Sequence, residues 1–147
     1  MNKPKNTMKV TFPSRGANEG LARMLIAAFI TEADPTVEEL CDIKTAVSEA
    51  VTNCIVHAYP DRIGEIYIAA ALSENDLLTV KVRDRGCGIA DVQKAMEPLF
   101  TTGGSERSGM GFTIMESFMD KLTVRSIAGK GTSVQMRKRI APRLVSR

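Results

Sequence analysis

The sequence lacks an apolar run long enough to cross a bilayer. The longest stretch, Leu21 to Ile30, is interrupted by Arg23, and a spanning helix needs about 20 apolar residues. The first residues carry lysines but run into Thr11, Pro13, Ser14 and Arg15 without the apolar region of a secretory signal. Cysteine is scarce and odd in number. Cys41, Cys54 and Cys87 lack metal-ligand spacing, and Cys41 and Cys54 fall in one predicted helix, a pattern that suits a reducing cytoplasm. Low-complexity segments and internal repeats are absent. A clear excess of one charge is missing too: the net charge is +3, but Arg137, Lys138, Arg139, Arg143 and Arg147 crowd the last eleven residues. Setting those five aside leaves 15 cations against 17 acids, or −2. By charge, the body is therefore not expected to bind nucleic acid directly.

What remains is an ordinary globular composition, 44% hydrophobic and 25% charged. A chain of 147 residues fits one domain, expected over residues 1–138, with 139–147 as a basic tail. Met8, Val10 and Phe12 alternate with polar residues as a short strand ended by Pro13. A helix follows from about Asn18 to Thr31. It is apolar nearly all round, so something should cover its second face. Asp34-Pro35-Thr36 offers two starts for the next helix, Pro35 in the first turn or Thr36 capping with Glu39. That helix is expected to reach Ala58, with Leu40, Ile43, Val47, Ala50, Val51 and Cys54 on one arc, before Tyr59-Pro60 stops it. Strands at 65–72 and 77–84 form a hairpin. After a loop-like stretch come a helix from Gly109 and strands near 122–127 and 132–137. The order β-α-α-β-β-α-β-β argues for an α+β, two-layer sandwich with helices on one face of a mostly antiparallel sheet.

Four small motifs carry the candidate chemistry. Glu49, Asn53 and His57 recur every four residues of the long helix, so each is rotated by only about 40° from the last and they form one polar stripe beside the apolar arc. The period of two puts Asp84 on the inward side with Val80 and Val82. It heads Arg85-Gly86-Cys87-Gly88, where alternate glycines let a flat ligand approach the backbone. Gly103-Gly104 and Gly109-Met110-Gly111 precede a helix, a setting for an anion. No Gly-Lys-Ser/Thr comes after them, so this is not a Walker loop. Arg107 is a cation placed to meet a terminal phosphate. Gly129-Lys130-Gly131-Thr132 opens the last strand with Thr132 facing inward.

In this order the motifs resemble the nucleotide-binding boxes of the GHKL ATPase/kinase superfamily, which includes gyrase and the histidine kinases. Ser48-Glu49-Ala50-Val51-Thr52-Asn53, Pro98-Leu99-Phe100-Thr101-Thr102 and the run from Glu106 to Glu116 are similar to the sporulation anti-sigma F family, a resemblance covering about Met8 to Lys138. It implies an ATP- and Mg²⁺-dependent protein serine kinase that cycles between ATP and ADP. Asn53 would be the metal ligand and Glu49 the general base. Asp84 would accept the adenine amino group, with Thr132 beside it through water, and Gly86 and Gly88 would line the base pocket. Gly109 and Gly111 would hold phosphates under a lid from about 98 to 108, to which Thr101, Thr102 and Ser108 belong. Two departures stand out: Gly103-Gly104 replaces the family's usual Lys-Pro in a lid one residue shorter, and Ala58 replaces a glycine.

The same resemblance implies partners: a sigma factor to be silenced, an anti-anti-sigma protein to be phosphorylated, and a second copy in a homodimer. Arg23, on the over-apolar helix, could dock either protein. No membrane contact is expected. Alternatives are a nucleotide-gated binding module without catalysis and the stress-response, anti-sigma B type of switch kinase. A detached histidine-kinase domain fits poorly, since the chain has one histidine.

Overall fold

The computed structural model describes residues 3–97 and 110–141. Strand β1, Pro4–Pro13, leads into helix α1, Ala17–Phe29, and a 3-10 turn at Ile30–Ala33. Helix α2, Val37–Asn53, continues as one π-helical turn, Cys54–Ala58. Strands β2, Glu65–Ser73, and β3, Leu77–Asp84, form the expected hairpin. The short helix α3, Val92–Ala95, helix α4, Gly111–Phe118, and strands β4, Lys121–Ile127, and β5, Gly131–Arg139, complete the order. The five strands lie in the order β1-β2-β3-β5-β4, and every neighbouring pair is antiparallel. Helices α1 and α2 pack on one another and α4 packs on α2, giving the two-layer α+β sandwich.

Period-two alternation builds the sheet's inner face. Ile66, Ile68, Ala70 and Leu72 of β2 and Leu78, Val80 and Val82 of β3 are buried, as are Val134 and Met136 of β5. Against them α2 sets Ile43, Ala46, Val47, Ala50 and Val51, the predicted arc, with Leu40 at its margin. The two candidate starts of α2 resolve in favour of Thr36. Its side chain accepts from the Glu39 amide at 3.0 Å, and the Glu39 carboxylate accepts from the Thr36 amide at 2.8 Å. Glu39 also accepts from the Ala141 amide. Burial alone would raise its carboxyl, but these amides hold it below the usual carboxylate range.

Two boundaries differ from the sequence expectation. The helix is not α-helical to Ala58: the Tyr59 amide donates to the Cys54 carbonyl, five residues back, and the Ala58 carbonyl accepts from the Cys87 amide. The folded body passes residue 138, since Ile140 is buried and its amide donates to Asp76. The second face of α1 carries exposed Leu21 and Met24 beside Arg23, the apolar surface for which the sequence expects a cover.

Thr36→Ala should cost about 1 kcal/mol of unfolding free energy, the usual value of a lost N-cap, measurable by urea denaturation. The Glu39 contribution is present above the ordinary carboxylate pKa and is lost as pH falls through the lowered value in the folded chain. Glu39→Gln should therefore be destabilising at neutral pH and converge on the wild type in acid.

Candidate functional site

Register brings the site together. Residue Arg83 lies opposite Ser133, so the next pair along, Asp84 at the end of β3 and Thr132 at the start of β5, are neighbours on the inner face. Ser126 of β4 lies opposite Thr132 in the same row. Above this row stands the end of α2 with its π turn. Between the layers is a cavity of about 280 Å³, walled by Ala50, Val82, Ile89, Phe112 and Val134, with Asn53, Asp84 and Thr132 among its polar groups.

At one end Asp84 is buried to 6% exposure. A buried carboxylate has to be met by donors, and here they come from three elements. Oδ1 accepts from the Gly86 amide at 2.9 Å and the Thr132 amide at 3.1 Å, while the Cys54 thiol, from the π turn, lies 3.5 Å from Oδ2. Burial, then the charge of Asp84 and this contact, push the Cys54 thiol well above its ordinary range, so it remains an S–H donor. Tyr59 pins the same junction. Its hydroxyl donates to the Glu65 carbonyl and accepts from the Arg85 amide, each at 2.7 Å.

The two loop glycines do different work. Gly88 lines the cavity at φ +74, where a Cβ would also fall 2.3 Å from the Ile127 carbonyl oxygen. Gly86 is not among the lining residues: a Cβ there would come 2.1 Å from the Ala58 carbonyl oxygen, so its place is behind the wall, where its amide serves Asp84.

At the other end half-buried Glu49 and Asn53 converge on the start of α4. A Cβ on Gly111 would sit 3.3 Å from Glu49 Oε1 and 3.3 Å from both terminal atoms of Asn53. The first-turn amides of α4 open here without intrahelical acceptors. Asn53, Gly111 and Thr132 thus share one cavity with Asp84 and Gly88, and Glu49 adjoins it. Thr101, Thr102, Arg107, Ser108 and Gly109, with the altered Gly103-Gly104 lid, lie outside the described residues. Arg23 does not line the cavity; it lies on the exposed flank of α1, paired with Glu19 at 2.9 Å. Glu19 also accepts a hydrogen bond from Ser48 of α2.

Sequence reasoning missed Cys54 and Ser126 as parts of the site. Cys54 counts with the apolar arc, where it belongs by position. Ser126 shares its strand face with Leu122 and Val124, and counting back across the Ala128–Gly131 turn would have placed it opposite Thr132.

Residues 12–138 match the family described as histidine kinase-like ATPase domain. The anti-sigma F factor of Caldanaerobacter subterraneus subsp. tengcongensis is 57% identical over 136 residues, covering 92% of this chain and 94% of that protein. The anti-sigma F factor of Clostridium acetobutylicum is 50% identical over 137 residues, covering 92% and 95%. In fold, the RsbU and RsbW domains of Rv1364c from Mycobacterium tuberculosis superpose with a TM-score of 0.69 at 20% identity, over 95% of this chain and 34% of that one. Identity at this level across nearly the whole length, with a family model matching residues 12–138, means that the chain belongs to the anti-sigma F family of histidine kinase-like ATPase domains.

Proposed function

We propose that this chain binds ATP with Mg²⁺, silences a sigma factor, and transfers the γ-phosphate to a serine of an anti-anti-sigma antagonist, working as a cytoplasmic homodimer. The observation that carries the reading is the polarity of the cavity. An apolar slot ends at an inward carboxylate, Asp84, on one side and opens on the other toward Glu49, Asn53 and the start of α4. A purine fits the first end, where Asp84 accepts from an exocyclic amine, and the phosphates fit the second.

The donor set suits magnesium. Among the described residues no group of three or more His, Cys, Asp or Glu could hold a metal. Mg²⁺ keeps several waters and takes one or two protein oxygens plus phosphates, and the Asn53 carboxamide oxygen supplies such a ligand. When bound, the ion neutralises phosphate charge. The chain's own residues do the rest: Asp84 orients the base, the α4 amides face the phosphates, and Glu49 takes the proton of the attacking serine hydroxyl. The new bond joins the serine oxygen to the γ-phosphorus, the bond to the β-phosphate oxygen breaks, and ADP leaves.

The open face of α1 supports the partner reading. Leu21 is 40% and Met24 is 72% exposed, apolar surface that a second copy or a sigma factor would cover, with Arg23 in its midst. Nucleotide binding alone needs no general base, so Glu49 favours the kinase over a binding module without catalysis.

Glu49→Gln should retain ATP and sigma-factor binding but abolish transfer from γ-labelled ATP to the anti-anti-sigma protein; undiminished labelling would remove Glu49 from the role of base. Met24→Asp should leave ATP affinity unchanged while reducing self-association at least tenfold in sedimentation velocity. An unaltered dimer would place the interface elsewhere.

A further inference from the structure

We propose that Cys54 and Ser126 are positioning residues that turn the Asp84 end of the cavity into a surface of acceptors only, and so select 6-aminopurine nucleotides over 6-oxopurine ones. The inference rests on the cavity taking a nucleotide, and adds to it two residues and the direction of their protons.

The serine hydroxyl sets that direction. Ser126 Oγ lies 2.7 Å from the Ile89 amide, 3.0 Å from the Gly131 carbonyl oxygen and 2.8 Å from Thr132 Oγ1. A serine has one proton to give and two lone pairs to receive with. The Ile89 amide can only donate, and the Gly131 carbonyl can only accept. Ser126 therefore gives its proton to Gly131, and its second lone pair receives the proton of Thr132. The Thr132 hydroxyl has then spent its donor within the sheet, leaving lone pairs for the cavity it lines.

Cys54 acts on the neighbouring group. The Gly86 and Thr132 amides hold only Oδ1 of Asp84, and the buried Cys54 thiol is the contact that holds Oδ2. With its proton pointed at the carboxylate, Cys54 adds no donor to the cavity wall, although it lines that wall. Asp84 and Thr132 are thus fixed as acceptors side by side. An adenine amine brings two protons to such a pair, directly and through a bridging water. The 6-oxo group of hypoxanthine or guanine brings lone pairs against lone pairs.

The test is calorimetric titration of the full chain with Mg·ATP and Mg·ITP, which differ at this edge of the base. Wild type should prefer ATP, and Asp84→Asn should erode the preference. Cys54→Ala and Ser126→Ala should each narrow the ATP-to-ITP affinity ratio by about three- to tenfold, the worth of one ordinary hydrogen bond. Cys54→Ser, which keeps a donor on a shorter bond, should hold the ratio closer to wild type than Cys54→Ala does. Residues that only supported the fold would weaken both nucleotides alike and leave the ratio unmoved. Unmoved ratios in both alanine variants, with Asp84→Asn still eroding the preference, would overturn the inference and leave the nucleotide reading standing. A wild-type chain that binds neither nucleotide would overturn both.

Discussion

One buried carboxylate organises this molecule. Asp84 sits at the end of a central strand with 6% of its surface exposed, and a charge so placed survives only where donors replace water. Those donors arrive from the glycine loop, from the second residue of β5 and from the π turn that follows α2. Each arrival constrains more of the fold. The Gly86 amide reaches Asp84 only if the loop turns tightly against Ala58, where no side chain fits. The Thr132 amide reaches it only in the observed β3–β5 register. The Cys54 thiol reaches it from a helix that has widened into a π turn.

The same arrangement separates two tasks along one cavity. In the proposed function, recognition falls to the sheet and the glycine loop, where backbone amides and strand register fix Asp84. The proposed chemistry falls to the meeting of α2 and α4, where Gly111 leaves room for the ends of Glu49 and Asn53. The π turn sits between the two, and such turns gather at functional sites because the extra residue re-aims the side chains beyond it. At this helix end the Ala58 carbonyl accepts from the Cys87 amide and the His57 carbonyl from the Cys87 thiol, so the loop below the cavity is stitched to the helix above it.

Much of this was legible in the residues. Period-two alternation located β2, β3 and β5 and put Asp84 and Thr132 inward; the 3.6 period located the buried arc of α2. Other features left no trace in periodicity. Cys54–Ala58 continues the helical pattern without a break, and nothing in its residues marks the π turn that meets the Cys87 loop. Pro35 and Thr36 are equivalent as starts until Glu39 is seen closing the box from both sides. Gly86 and Gly88 form one motif on paper, but one makes room for a carbonyl behind the wall and the other supplies a positive φ in it. Ser126 escapes notice because a serine on a strand has no distinguishing pattern, and only strand pairing gives it neighbours.

The account stands on where a purine would lie. A crystal structure of the chain with Mg²⁺ and a non-hydrolysable ATP analogue measures this directly. The account predicts the exocyclic amine of the base within hydrogen-bond distance of the Asp84 carboxylate, the base between Ala50, Ile89 and Val134, and the phosphates at the start of α4 beside Asn53. A base bound away from Asp84, or phosphates at the Asp84 end of the cavity, would contradict it.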